Sequence, residues 1–156
     1  MVSPSSPAPA SASLQQTPTG YLLRGTREQL TNLSLFLLTE EGFALEDVRA
    51  MVKISKAYTS SKVFERIVGK ASSKTVSNTD ATVRRLGPLQ SARAFQFATV
   101  LEHATTVFGS LTLAEGWLVR PCKYLADHVP LDLVDNPIGF QAIEEYLERI
   151  ELGVYQ

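Results

Sequence analysis

Four carboxylates crowd one short stretch of this chain: Glu144, Glu145, Glu148 and Glu151. Paired carboxylates can divide general-acid and general-base work when one of them is held protonated by burial. These four lie mostly off an apolar stripe formed by Phe140, Ile143, Leu147 and Ile150. A helix that buries the stripe turns the acids to water, where they are solvated charge and not a catalytic pair. No phosphate-binding glycine loop, nucleophile elbow or metal motif occurs elsewhere. His103 and His128 stand 25 residues apart, with no ligand spacing, and Cys122 is the only cysteine. A single thiol makes neither an internal disulfide nor a zinc pattern, and it fits a reducing cytoplasm. The chain is therefore expected not to be an enzyme, and to need no metal or cofactor.

What remains is recognition, and the charge distribution says of what. Net charge is −1, but residues 49–93 hold ten basic side chains against two acidic ones. Residues 94–156 hold three basic against nine acidic, and residues 1–48 two against five. A basic middle and an acidic end suit two partners of opposite character.

The basic segment carries a helix-turn-helix pattern. Ser60 or Ser61 can cap a short helix bearing Val63, Phe64, Ile67 and Val68; Gly69 makes the turn, and Ser72 or Ser73 can cap a second helix over Lys74–Asp80. Thr75, Ser77, Asn78 and Thr79 are poor helix formers, but short and polar enough for a DNA groove. Lys62, Lys70, Arg84 and Arg85 would touch phosphates. Ser73, Lys74, Ser77 and Asn78 would meet base edges, with Lys74 suited to guanine and Asn78 to adenine.

The elements that must position these groups are all helices, and no strand-type alternation occurs. Residues 1–19 are Pro/Ser/Ala/Gln-rich and uncharged, without the marks of a secretory signal, and read as a disordered tail. Thr26 can cap a helix reaching Glu41, with Gln29 completing a capping box and Leu30, Leu33, Leu37 and Leu38 at amphipathic spacing. Leu45–Ser55 follows, with Leu45, Val48, Met51 and Val52 inward. The longest helix is expected over residues 88–108, with Pro88 at its first position and Gly109 past its end. Its inward face is Ala94, Phe97, Ala98, Leu101, Ala104, Thr105 and Phe108, and it joins the basic half to the acidic half. Short helices at Leu113–Val119 and from Pro130 precede a final helix capped at Asn136-Pro137 and stopped by Gly153. Trp117 and Leu118 belong to the core of that half. No stretch approaches the roughly 20 apolar residues of a membrane span.

Residues 104–155 resemble the toxin-binding C-terminal domain of the Xre/MbcA/ParS antitoxins. The marks are Val107-Phe108-Gly109, Ala114, Trp117-Leu118, Pro121, Pro130-Leu131-Asp132-Leu133, and the run from Glu145 to Tyr155. The basic half is similar to the family's divergent helix-turn-helix at Gly69, Thr75, Arg84-Arg85-Leu86 and Ser91-Ala92-Arg93. The chain departs from the family where Cys122 replaces the usual Asn, and where Ala126-Asp127-His128 replace a small glycine pair.

The resemblance covers roughly residues 26–156 and implies an Xre-like helix-turn-helix domain at 26–93 and a toxin-binding domain at 94–156; the expected disordered tail, 1–25, lies outside it. It implies an antitoxin that binds and inhibits a RES-domain, NAD-consuming toxin, self-associates as a dimer or a larger assembly with the toxin, and represses its own operon. The acidic helix would complement an electropositive NAD pocket through Glu144, Glu148 and Glu151, while Tyr146, Leu152, Val154 and Tyr155 would supply apolar anchors. The alternative is a free-standing helix-turn-helix regulator whose C-terminal domain only dimerises or binds another protein.

Overall fold

The computed structural model describes residues 17–25, 27–69 and 84–153. Among these the chain is all-helical, with nine α-helices and no strand; only two isolated bridges occur, Ala44 with Arg85 and Cys122 with His128.

The first helix, α1 (Pro18–Leu23), overlaps the end of the 1–19 stretch whose composition reads as a disordered tail and lies inside the expected 1–25 tail. Local residues mark only its start. Thr17 accepts a hydrogen bond from the Gly20 amide, and Pro18 occupies the first helical position. Thr19 then donates from its amide and its hydroxyl to Glu102, at 3.1 and 2.6 Å, and Leu22 is buried. A partner 83 residues away orders this helix, so no local composition could reveal it. Residues 1–16 lie outside the described residues, as does Thr26.

The next helix starts later than its leucine spacing suggests. A 3-10 turn covers Arg27–Gln29, and Thr31, not Thr26, caps α2 (Asn32–Glu41) by accepting from the Ser34 amide. Leu33 is 66% exposed and Leu37 56%, so the anticipated inward stripe is not the buried one. Apolar residues surround α2 on all sides, and such a helix has no single face dictated by pattern. Leu38 is the residue that packs against the core. Gly42 (φ +95°) ends α2; a Cβ there would meet the Leu86 carbonyl oxygen at 2.2 Å. That close approach lets Leu86 N donate to Phe43 O and Leu45 N to Arg84 O, stitching the two segments together.

Helix α3 (Leu45–Lys53) buries Val48, Met51 and Val52, as the periodicity requires. The sequence pattern missed α4 (Lys56–Ser60), which Ser55 caps by accepting from the Tyr58 amide. Helix α5 (Val63–Val68) follows a left-handed Lys62, without the serine cap expected for it, and ends at Gly69 (φ +79°). The second helix of the expected helix-turn-helix lies outside the described residues.

Helices of both halves pack against α6 (Pro88–Phe108), whose 21 residues make a rod about 30 Å long. Pro88 starts it and Gly109 (φ +95°) ends it, as expected. The expected inward face is too narrow. Ser91, Thr99 and Val100 are buried as well, because α1 and α2 cover one side while α7 (Leu111–Leu118) and α9 (Pro137–Glu151) cover another. One continuous core runs from Leu22 to Leu147 across both halves of the chain. Its centre is Tyr58, fully buried, edge-on to Phe97 and donating to the Phe97 carbonyl at 2.6 Å.

In the C-terminal half Ser110 caps α7, and α8 (Pro130–Leu133) begins at its proline. Asn136 caps α9 by accepting from the Ile138 and Gly139 amides. Gly139 is required there: a Cβ would meet the Leu133 carbonyl oxygen of α8 at 2.4 Å. Ile143 and Leu147 are fully buried, while Phe140 and Ile150 complete the stripe at its half-buried edges. No helix among the described residues is long and apolar enough to cross a membrane.

Candidate functional site

The stripe that docks α9 on α6 sets where its acids go. Glu145 and Glu148 are exposed, in line with the reading of a solvated face. Glu144 and Glu151, two turns apart, project instead toward α6 and close on His103. The imidazole Nδ1 lies 3.2 Å from Glu144 and Nε2 lies 3.2 Å from Glu151. The hydrogen bond to Glu144 raises the His103 pKa above its ordinary 6.5; burial opposes this, and the Glu144 charge and the Glu151 carboxylate reinforce it. Sequence spacing could not pair His103 with acids 41 and 48 residues away. Only the register of α6 against α9 brings them together.

Tyr146 is held as well. Its ring stacks on Trp117 at 5.7 Å and on Tyr124 at 5.6 Å, and Phe108 closes the other side of Trp117 at 5.3 Å. The expected apolar anchor is thus a middle rung of an aromatic ladder that runs from the core edge to Tyr124, an exposed residue. Trp117 is half-buried rather than enclosed, with its Nε1 buried and unpartnered. Leu152, just past α9, is 73% exposed. Val154 and Tyr155 lie outside the described residues.

The loop before α8 contains Ala126-Asp127-His128, where the sequence departs from the pattern it resembles. Ala126 (φ +55°) and Asp127 (φ +62°) both occupy the left-handed region that glycine tolerates best. The loop holds because Cys122 and His128 pair, with Cys122 N donating to His128 O and Asp127 N to Cys122 O, both at 2.9 Å.

Two polar joints bind this half to the basic half. Glu115 of α7 accepts from the Ser55 hydroxyl at 2.6 Å and the Ala57 amide at 3.0 Å, placing a carboxylate at the start of α4. Arg66 of α5 lies over the Phe97 ring, donates to the Leu131 carbonyl at 2.9 Å and pairs with Asp135 at 3.1 Å. Arg66 had counted only toward the basic total; its role here is to fasten α8.

Of the residues expected at DNA, Lys62, Arg84 and Arg85 are described and exposed. Arg85 also donates to the Gly42 carbonyl at 2.7 Å, so its guanidinium helps close the turn after α2. Lys70, Ser73, Lys74, Ser77 and Asn78 lie outside the described residues. Among the described residues no three His, Cys, Asp or Glu side chains are grouped to hold a metal ion.

Residues 103–153 match the family model of the antitoxin Xre/MbcA/ParS C-terminal toxin-binding domain. The match begins at His103 on α6 and ends at Gly153, spanning the aromatic ladder, the left-handed loop and all of α9. The C-terminal region is thus similar to an antitoxin toxin-binding domain of that family, and the partner such a domain implies is a toxin. No curated protein matches the chain.

Proposed function

We propose that this chain is the antitoxin of a type II toxin–antitoxin pair, that it binds and inhibits a RES-domain toxin consuming NAD, and that it represses its own operon. The observation that carries the reading is the toxin-binding domain match at residues 103–153, ending where α9 presents acids and an exposed Leu152. An enzyme that uses NAD must hold a pyrophosphate, so its pocket is electropositive. Glu145 and Glu148, exposed on α9, are complementary to such a surface and would speed encounter. Leu152, with Val154 and Tyr155 beyond it, would supply the apolar anchoring.

The DNA-binding role rests on the basic segment, including the exposed Lys62 and Arg84. A cytoplasmic homodimer reading two half-sites is the assembly that this role favours.

Two variants co-expressed with the neighbouring toxin gene test the reading. Deleting Val154-Tyr155-Gln156 is expected to release toxicity while the unfolding temperature stays unchanged. Lys74→Glu with Arg84→Glu is expected to abolish operator binding and leave neutralisation intact. Full suppression by the truncated chain would remove the tail from the mechanism. Loss of both activities in the double variant would assign Lys74 and Arg84 to the fold or the assembly.

A further inference from the structure

The face of α6 that carries His103 forms more than an ion pair. Thr99, Glu102, His103 and Thr106 recur at helical spacing, and with Glu144 and Glu151 of α9 they line an open groove of about 290 Å³. A single water needs about 30 Å³, so the groove has room for a side-chain head group. Glu144 and Glu151 close on the one imidazole, and Glu102 lines the same groove. Glu102 also receives the two hydrogen bonds from Thr19, and Glu151 keeps half its surface in water. Thr99 adds an independent sign. It is only 3% exposed and lines this groove, yet its hydroxyl has no hydrogen-bond partner. A buried hydroxyl left unpaired costs about 1–3 kcal/mol.

We propose that this groove is the seat for a cationic side chain of the bound toxin, an arginine in preference to a lysine. The inference rests on the toxin-binding reading above and names a second contact beside the tail. A planar guanidinium offers five donors in a fixed fork, enough to engage carboxylates from both helices at once. The position is right for such a contact: Glu151 lines the groove, and Leu152, its neighbour in sequence, is exposed. A partner contacting Leu152 lies within a helical turn of the groove.

In the free protein His103 occupies the place of the cation. Protonated, it carries a positive charge between Glu144 and Glu151 and opposes entry; neutral, it leaves the two carboxylates to the incoming group. The charged groups at the groove are Glu102 and His103 on α6 and Glu144 and Glu151 on α9, with exposed Glu148 between the last two; α1 contributes no residue to the lining. Toxin affinity is therefore set to rise with pH through the His103 titration.

The test is titration calorimetry of the purified toxin encoded beside this chain, at pH 6 to 8. It uses the parent and Glu151→Gln, His103→Lys and Thr99→Val. Glu151→Gln and Thr99→Val should each weaken binding at least fivefold. His103→Lys, which tethers a permanent cation in the groove, should weaken it about tenfold and flatten the pH dependence. Thr99→Val keeps the side chain's shape and removes an unpaired hydroxyl, so its unfolding temperature should equal or exceed the parent's. A fall in affinity there cannot come from a damaged fold. If all three variants bind within twofold of the parent while the 154–156 deletion still releases the toxin, the groove is not a contact and only this proposal falls. If the parent itself does not bind the toxin, this proposal and the functional reading fall together.

Discussion

The imidazole of His103 on α6 and the carboxylate of Glu144 on α9 meet at 3.2 Å, joining the central helix to the acidic one. The hydrogen bond to Glu144 raises the histidine's pKa, so the folded protein binds a proton that the unfolded chain releases at lower pH. The bond's contribution is fully present below the unfolded value of about 6.5 and fades as pH rises through the folded one. His103→Gln should therefore lower the unfolding free energy measured by urea denaturation at pH 5.5, by on the order of 1 kcal/mol or less. At pH 8.5 it should change little. An equal loss at both pH values would mean that the imidazole acts by packing alone.

Arg66 is the side chain whose loss should be felt in both halves. Its guanidinium holds Asp135 and the Leu131 carbonyl while lying over Phe97. Arg66→Leu strands the partly buried Asp135 and should cost about 2 kcal/mol. Denaturation followed by Trp117 fluorescence and by far-UV circular dichroism should shift together, because one core spans the chain. Two separated transitions would show instead that the halves unfold independently.

The all-helical class was legible in the sequence, and so were most of the places where helices start and stop. Pro88, Gly109 and Asn136 act through their own backbone or their nearest amides, which a linear reading can follow. Helix α1 and the outward turn of Leu33 and Leu37 were not legible. The first depends on Glu102, and the second belongs to a helix apolar on every side. The candidate site divides the same way. The acids of α9 could be placed on a helix facing away from its stripe. That Glu144 and Glu151 close on His103, and that Tyr146 stacks between Trp117 and Tyr124, follows from packing between elements far apart in sequence.

Ala126 offers a gain in stability. Its φ of +55° brings a Cβ against the following carbonyl, a conformation costing an L-residue roughly 1–2 kcal/mol. Glycine relieves that strain and gives back part of the gain as unfolded-state entropy. Ala126→Gly should stabilise the chain by about 0.5–1 kcal/mol, read as a higher denaturant midpoint at unchanged slope. A lower midpoint would mean that the methyl group makes contacts worth more than the strain.

The central claim is that the C-terminal domain silences an enzyme that consumes NAD. The direct measurement is cellular NAD after induction of the neighbouring toxin gene, alone and together with this chain. The account predicts that NAD collapses with the toxin alone, holds at its uninduced level with the full chain, and collapses again with the chain lacking Val154-Tyr155-Gln156. NAD that falls equally with and without the full chain, while both proteins accumulate, would contradict it.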